Sequence, residues 1–130
     1  MKLNDLLKDA PSARLSRGSS DVDVGRIAQD SRDQLTGAIF VALRGTKVDA
    51  HNLLESVCAA GPVAVAVEDL SKVPKTFSGA VVETENARRL LDYFARGFWG
   101  APDRQLLCVA VTGTNGKTTT ANIVEHLLNA

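Results

Sequence analysis

Short apolar runs set the strongest limit on how this chain can fold. Residues 38–43, 63–67 and 106–111 are apolar at nearly every position, and each run has the length of a strand. A run of this kind has no polar face to turn towards water, so both sides of the strand must be covered. Residues 24–29 and 79–82 are further strand candidates. The sequence therefore predicts strands in a sheet that carries helices on both faces.

The segments between these runs have the spacing of amphipathic helices. Residues 3–7, 50–60 and 86–98 each place apolar side chains on one helical face, and Asp49 is a natural N-cap for the second helix. The third helix has the clearest stripe, formed by Ala87, Leu90, Leu91, Phe94, Ala95 and Phe98. Alternating strands and helices predict an α/β fold with a small, largely parallel or mixed sheet.

A segment rich in glycine and proline divides the chain. Residues 97–105 contain two glycines, a proline and a charged pair, which is typical of a linker. The sequence therefore predicts one domain over residues 1–100. Residues 101–130 begin a second, truncated unit, in which a strand over 106–111 leads through a glycine turn into a helix over 117–129.

Charge and cysteine usage exclude several classes of protein. Fifteen Lys and Arg residues balance fifteen Asp and Glu residues, so no net field attracts nucleic acid or an anionic membrane. No apolar run approaches the ~20 residues that cross a bilayer, and the N-terminus does not look like a signal peptide. Cys58 and Cys108 stand in apolar runs, which is typical of buried, reduced cysteines. We expect a cytoplasmic protein that binds neither nucleic acid nor membranes.

A glycine-rich loop with the sequence Gly-Thr-Asn-Gly-Lys-Thr-Thr follows the third apolar run. Between a strand and a helix, such a loop can hold the phosphates of a nucleoside triphosphate with its backbone N–H groups, and the helix adds its unpaired N-terminal amides. We expect Lys117 to reach the β- and γ-phosphates and the Thr118 hydroxyl to ligate Mg²⁺. The predicted loop residues are Gly113, Thr114, Asn115, Gly116, Lys117, Thr118 and Thr119.

The loop departs from the usual phosphate-loop pattern at one position. The first glycine of that pattern would fall at Val111, and the early glycine is Gly113 instead. A chance Gly-Lys-Thr in an ordinary loop is the alternative interpretation, and the predicted strand and helix on either side argue against it. A dinucleotide site is disfavoured because no Gly-x-Gly-x-x-Gly follows a strand.

These motifs resemble the Mur ligases, the amide-forming enzymes of peptidoglycan precursor synthesis. The loop over 113–119 is similar to the ATP loop of that family. Upstream, Asp30-Ser31-Arg32, residues 37–45 and Asp49-Ala50-His51 look like its N-terminal UDP-binding domain. Together the two sets of motifs cover nearly the whole chain, in the order expected of the family.

Among the family members, the residues are most similar to the ligase that adds the third amino acid of the peptide. The resemblance implies an enzyme that uses ATP and Mg²⁺ to activate a UDP-N-acetylmuramoyl dipeptide as an acyl phosphate. The amine of meso-diaminopimelate or L-lysine then attacks this intermediate. The full enzyme is expected to be a monomer, and Lys117 is its implied catalytic residue within this chain.

The resemblance also implies a set of substrate-binding residues. By position, Gln29 and Ser31 contact the uridine nucleotide, and Thr46, Lys47 and Val48 meet the uracil and ribose. From the residues alone, two alternatives stay open. Ser31 could instead cap a turn, and Lys47 could be a solvated surface charge.

One position differs from the pattern of the family. Alanine stands at position 50, where the family usually has glycine. If that glycine serves a left-handed turn, Ala50 would cost about 1 kcal/mol or more. The neighbouring His51 is interpreted as a structural residue at a helix start rather than a catalyst.

The remaining parts of a Mur ligase would have to follow residue 130. We therefore expect an inactive fragment that binds ATP weakly or not at all, and that can self-associate through its last strand and helix. One alternative is a stand-alone nucleotide-binding or regulatory module derived from a Mur ligase. The other is a different Mur-type amide ligase, such as a lipid-linked muramoyl amidating subunit or a cyanophycin-type synthetase.

Overall fold

The structure, a computed structural model, describes residues 1–46 and 48–129. Across these residues a single five-stranded sheet has the order β1-β5-β4-β3-β2, where the strands are β1 (Ala13–Arg17), β2 (Arg26–Ala28), β3 (Ala38–Val41), β4 (Ala64–Val67) and β5 (Ala80–Thr84). The pairs β2–β3, β3–β4 and β4–β5 are parallel, and β1 joins β5 antiparallel. The predicted α/β class with a largely parallel or mixed sheet is confirmed.

Helices flank the sheet at the positions that the apolar spacing predicted. The described residues contain α1 (Leu3–Lys8), α2 (Leu54–Ala59), α3 (Ala87–Phe98) and α4 (Lys117–Leu128). Short 3-10 turns occupy Ala50–Leu53, Leu70–Lys72 and Pro102–Arg104. The helix predicted over 50–60 therefore begins as a 3-10 turn and becomes α-helical at Leu54. The segment predicted as a linker overlaps the last residues of α3.

Both faces of the sheet are covered, as its apolar strands require. Side chains alternate along a strand, so Ile39 and Val41 of β3 pack in the layer with α1 and α3, whereas Phe40 packs in the layer with α2. The same alternation divides β4. In the first layer, α3 contributes Leu90 and Phe94, and both are fully buried. This two-sided burial fixes the register of the central strands.

The strand predicted over 106–111 is wrong. No strand forms in that segment of the described chain, and the exposed fractions of the Leu106, Leu107 and Val109 side chains are 66%, 92% and 64%. A strand needs neighbouring backbone groups to bond its N–H and C=O groups, and no described strand lies alongside this one. Cys108 is exposed for the same reason, which corrects the prediction that both cysteines are buried, while Cys58 is half-buried.

The last predicted helix does form, but α4 contributes no buried residue. Its apolar side chains Ile123, Leu127 and Leu128 are 56%, 69% and 74% exposed. The buried core of the described chain begins at Leu3 and ends at Phe94. The division into domains at about residue 100 stays a prediction. Among the described residues, no helix is both long and apolar enough to cross a membrane.

Candidate functional site

A cavity of about 540 Å³ opens beside the carboxyl ends of β2 and β3. In parallel α/β sheets, ligands bind beyond this end of the strands, because the connecting loops meet there. The cavity lies between the loop after β2, the turn after β3 and the N-terminal end of α3. Its lining residues are Gln29, Asp30, Ser31, Arg32, Phe40, Leu43, Gly45, Val48, Ala50, Leu53 and Arg88.

The first wall is a tight turn that follows β2. Asp30 Oδ1 accepts hydrogen bonds from the backbone N–H and the Nε of Arg32, at 3.0 and 2.9 Å, and Oδ2 lies 2.5 Å from the second guanidinium nitrogen. The Arg32 side chain, and then its backbone N–H, hold the pKa of Asp30 below its usual range. This bonding fixes the turn with half-buried Ser31 at its centre. It also engages the Arg32 guanidinium in an ion pair with Asp30.

The second wall is the turn after β3, where a glycine is required. The backbone N–H of Gly45 donates to the Val48 carbonyl oxygen at 3.0 Å. A Cβ on Gly45 would lie 2.6 Å from that oxygen, so any side chain would force the two strands of the turn apart. Arg44 and Asp49 then pair as an isolated antiparallel bridge. The turn brings Val48 to the cavity, although 59% of this residue is exposed.

A buried histidine fixes the base of this turn. The side chain of Asp49 accepts the backbone N–H of His51 at 2.9 Å, and its Oδ1 lies 2.7 Å from His51 Nδ1. His51 Nε2 accepts the backbone N–H of Glu68 at 3.0 Å. These partners assign the ring proton to Nδ1. His51 is 3% exposed and both ring nitrogens are bonded, which agrees with a structural role.

The Glu68 carboxylate joins the turn after β3 to the start of α3. Its Oε1 accepts the backbone N–H of Ala87 at 2.9 Å, and its Oε2 lies 3.0 Å from Arg44 Nε. Asn86 accepts the backbone N–H of Arg89 and is the N-cap of the same helix. Two of the free amides at the helix start are thereby satisfied. Glu68 thus holds two walls of the cavity in a fixed relation.

The five predicted substrate-binding residues have different positions in the structure. Gln29, Ser31 and Val48 line the cavity. Thr46 is exposed and does not line it. Lys47 lies outside the described residues. The structure therefore brings three of the predicted residues together at one site.

The expected strain at Ala50 is absent. Ala50 begins a right-handed 3-10 turn that is capped by Asp49. Among the described residues, the non-glycine residue with a positive φ is Ala101, at 50°. The condition for the penalty is therefore not met, and alanine carries no left-handed strain at position 50.

Sequence reasoning missed two residues that shape the site. Arg88 lines the cavity from the first turn of α3, and Glu68 organises the cavity walls from the end of β4. Both follow the carboxyl end of a predicted parallel strand, and such ends share one edge of the sheet. That positional signal was available from the sequence.

The glycine-rich loop forms a bend followed by a helix. Gly116 adopts a left-handed conformation with φ 76° and ψ 2°, and its carbonyl accepts the Thr120 N–H of α4 at 2.9 Å. The ammonium group of Lys117 turns back over the loop and donates to the carbonyls of Gly113 and Thr114, at 2.5 and 3.4 Å. The segment is thus neither extended nor helical throughout. It bends immediately before the start of α4.

The loop residues fit a polyphosphate in their chemistry. The first turn of α4 leaves the amides of Lys117, Thr118 and Thr119 without acceptors inside the helix, and these amides carry the partial positive charge of the helix end. Lys117 adds a full charge beside them. The exposed hydroxyl of Thr118 is of the type that ligates Mg²⁺ in such loops.

Comparison with known proteins gives one consistent group of relatives. No protein-family model matches the chain. The UDP-N-acetylmuramoyl-L-alanyl-D-glutamate–2,6-diaminopimelate ligase of Chlorobium phaeobacteroides is 40% identical over the whole chain, which spans 26% of that ligase. The ligase of the same name from Parabacteroides distasonis is 38% identical over 98% of the chain and 26% of its own length.

Solved structures agree with the sequence relatives. A crystal structure of MurF from Acinetobacter baumannii matches 98% of the chain with a TM-score of 0.72 and 27% identity, over 27% of that protein. The chain thus spans about a quarter of the length of the proteins that it matches. Whole-chain sequence similarity and the shared fold lead to the same assignment. The chain belongs to the Mur ligase family and has the fold of that family's N-terminal domain.

Proposed function

We propose that this chain supplies the uridine-nucleotide site and the ATP loop of a ligase that extends UDP-N-acetylmuramoyl-L-alanyl-D-glutamate. The carrying observation is the cavity at the carboxyl ends of β2 and β3, with Gln29, Ser31 and Val48 in its walls. The names of the sequence relatives support 2,6-diaminopimelate as the amino acid added. L-lysine is the alternative. The chain spans about a quarter of the length of these relatives. The complete reaction is therefore proposed for a longer protein that contains this chain.

The cavity walls suit a uridine nucleotide. Ser31 offers a hydroxyl and Gln29 an amide, which together provide donors and acceptors for a polar nucleoside. Leu53 and Val48 offer apolar surface for a planar base. A few polar groups set in a mostly apolar concavity are typical of small-molecule sites. Lys47 would add a charge at the turn and belongs to the proposed set by its position in the sequence.

The glycine-rich loop is the proposed ATP site. Residues Gly113 to Thr119 would hold the phosphates through backbone amides, with Lys117 beside the β- and γ-phosphates and Thr118 on Mg²⁺. The contacts of Lys117 with the carbonyls of Gly113 and Thr114 support this role, because its ammonium group lies against the backbone of the loop. When bound, ATP supplies the phosphoryl group that activates the substrate carboxylate. The residues of the loop bind and orient that group and neutralise its charge.

Replacing Ser31 tests the uridine site. We expect the chain to bind UDP, and Ser31→Ala to weaken that binding about three- to tenfold through loss of one hydrogen bond. The matched control is Ser78→Ala, because Ser78 is exposed and lies outside the cavity. Isothermal calorimetry at a fixed salt concentration measures both variants. Equal affinity for UDP in Ser31→Ala and the unsubstituted chain would argue against this site.

Replacing Lys117 tests the ATP loop in a complete enzyme. The chain would be joined to the remaining three quarters of the Chlorobium ligase, and ATP-dependent phosphate release would be assayed with the substrate dipeptide and diaminopimelate. We expect Lys117→Ala to lower kcat at least about 100-fold, because the charge stabilises the transferring phosphoryl group. Lys75→Ala, at an exposed position, is the control. An undiminished rate in the Lys117→Ala chimera would contradict the assignment.

A further inference from the structure

We propose that Arg88 binds the diphosphate of the uridine nucleotide from the first turn of α3. This proposal rests on the proposed function, since it takes the cavity to be the nucleotide site. It adds a specific residue and a specific part of the ligand.

Arg88 is the cation of this cavity whose charge is not paired. Three charged residues line the cavity, and two of them, Asp30 and Arg32, bind each other through both guanidinium contacts. Arg44, near the same edge of the sheet, is paired with Glu68. The described residues provide no ion pair and no side-chain hydrogen bond for Arg88. The cavity therefore carries one uncompensated positive charge, which favours an anionic group at that end.

Helix stability does not account for an arginine at this position. Arg88 is the second residue of α3, where the partial positive charge of the helix end disfavours a cation. The neighbouring Arg89 stacks over Tyr93 of the same helix, with its guanidinium carbon 5.7 Å from the ring centre. Arg88 has no comparable contact with the described residues, and it lines the cavity instead. Its position is explained if it contacts a ligand.

The cavity walls offer different groups to the two ends of a nucleoside diphosphate. Gln29 and Ser31 contribute polar groups from the loop after β2, and Val48 contributes apolar surface from the turn after β3. Arg88 reaches the cavity from α3. A nucleotide whose uridine contacts the first two walls would direct its diphosphate towards the third. A guanidinium group suits that partner, because its fork of N–H donors matches phosphate oxygens.

The test measures UDP and uridine binding to the full 130-residue chain by ligand-observed NMR and calorimetry. The variants are Arg88→Ala, Arg88→Lys and the control Arg89→Ala, which removes the same charge from the adjacent position. We expect Arg88→Ala to weaken UDP binding about tenfold or more and to leave uridine binding unchanged, because uridine lacks the diphosphate. Arg88→Lys should keep part of the affinity and Arg89→Ala nearly all of it. Unchanged thermal midpoints establish that the variants fold.

Two other outcomes would overturn the role of Arg88, and a third would overturn the uridine site. Arg88→Ala that binds UDP as tightly as the unsubstituted chain would overturn the role of Arg88 and leave the uridine site intact. Equal weakening of UDP and uridine would also overturn it, because the residue would then act on the nucleoside or on the cavity shape. Failure of the unsubstituted chain to bind UDP would overturn the proposed uridine site itself.

Discussion

At the scale of single residues, the loops of the site are held by carboxylates that accept hydrogen bonds from nearby donors. Asp30 accepts three donors from Arg32, and Asp49 accepts the backbone and the ring of His51. These bonds lie within turns, two residues apart in sequence. They explain why the loops beside the cavity have defined shapes although much of their surface is exposed.

Asp49 should make the stability of the chain depend on acid pH. The backbone N–H of His51, and then its side chain, hold the pKa of Asp49 below its ordinary value. A carboxyl with a lowered pKa in the folded state stabilises the fold above its unfolded pKa. That contribution is lost as the pH falls through the lower, folded value.

Asp5, Asp30 and Asp69 also have lowered pKa values, so they contribute to the same pH dependence. We therefore expect the urea midpoint of the unsubstituted chain to fall below about pH 4, and Asp49→Asn to flatten part of this decline. Asp92→Asn, on an exposed position of α3, is the control and should keep the unsubstituted pH profile. Urea unfolding followed by circular dichroism measures the unsubstituted chain and both variants between about pH 2.5 and 7, a range that brackets the ordinary carboxyl pKa values. A decline of the same steepness in Asp49→Asn and the unsubstituted chain would contradict this account.

At the scale of elements, one side chain links the turn after β3 to the start of α3. Glu68 bonds the first amide of α3 and pairs with Arg44 in the turn after β3. The Glu68 side chain is 20% exposed, but that of Arg44 is 61% exposed, so water screens the ion pair and the bond to the Ala87 amide is the better protected contact. The relative position of two cavity walls therefore depends on this carboxylate.

Replacing Glu68 should weaken both the fold and the site. We expect Glu68→Gln to lower the free energy of unfolding by about 1 kcal/mol, because the charge that pairs with Arg44 and faces the helix end is lost. Glu85→Gln, which neutralises an exposed carboxylate nearby, should change the free energy much less. Urea unfolding at pH 7 measures both. Equal losses in the two variants would show that the contacts of Glu68 carry no special weight.

The elements also show which features could be read from the sequence. The run over 38–43 and the stripe on α3 predicted their elements because both are buried against layers inside this chain. The run over 106–111 is equally apolar and forms no strand. A strand is buried and paired only if neighbouring strands and helices are present to cover it. The sequence of the segment itself does not reveal whether those neighbours are present. Thr46 illustrates a related limit: its position in the turn after β3 does not determine whether its side chain reaches the cavity, and it is not among the lining residues.

At the scale of the whole molecule, stability is unevenly distributed. The buried core ends at Phe94, and the described part of the chain beyond it is exposed or half-buried. An isolated twelve-residue helix such as α4 is marginal in water without tertiary contacts. The elements around the proposed uridine site thus pack in a buried core, whereas the described segment that carries the ATP loop contributes no buried residue. This difference supports the expectation that the chain alone binds ATP weakly and is inactive.

Hydrogen exchange should reveal this difference directly. We expect amides in β3 and β4 to exchange only through global unfolding, and amides over 105–116 and in α4 to exchange through local opening. Mass spectrometry of the exchanged full chain, at several times and at pH 7, gives the pattern by segment. Slow exchange over 105–116 would show that this segment is protected by contacts that the structure lacks, such as self-association through its last strand and helix.

The central claim is that the cavity beside β2 and β3 holds a uridine nucleotide, and amide NMR spectra recorded during a UDP titration test it most directly. The account predicts chemical-shift changes that saturate and concentrate at Gln29, Ser31, Val48 and Arg88, with α4 nearly unaffected. Spectra that do not change at millimolar UDP, a concentration that reveals even weak binding, would contradict the account. Changes confined to residues 113–119 would contradict it equally, because the nucleotide would then occupy the glycine-rich loop instead of the cavity.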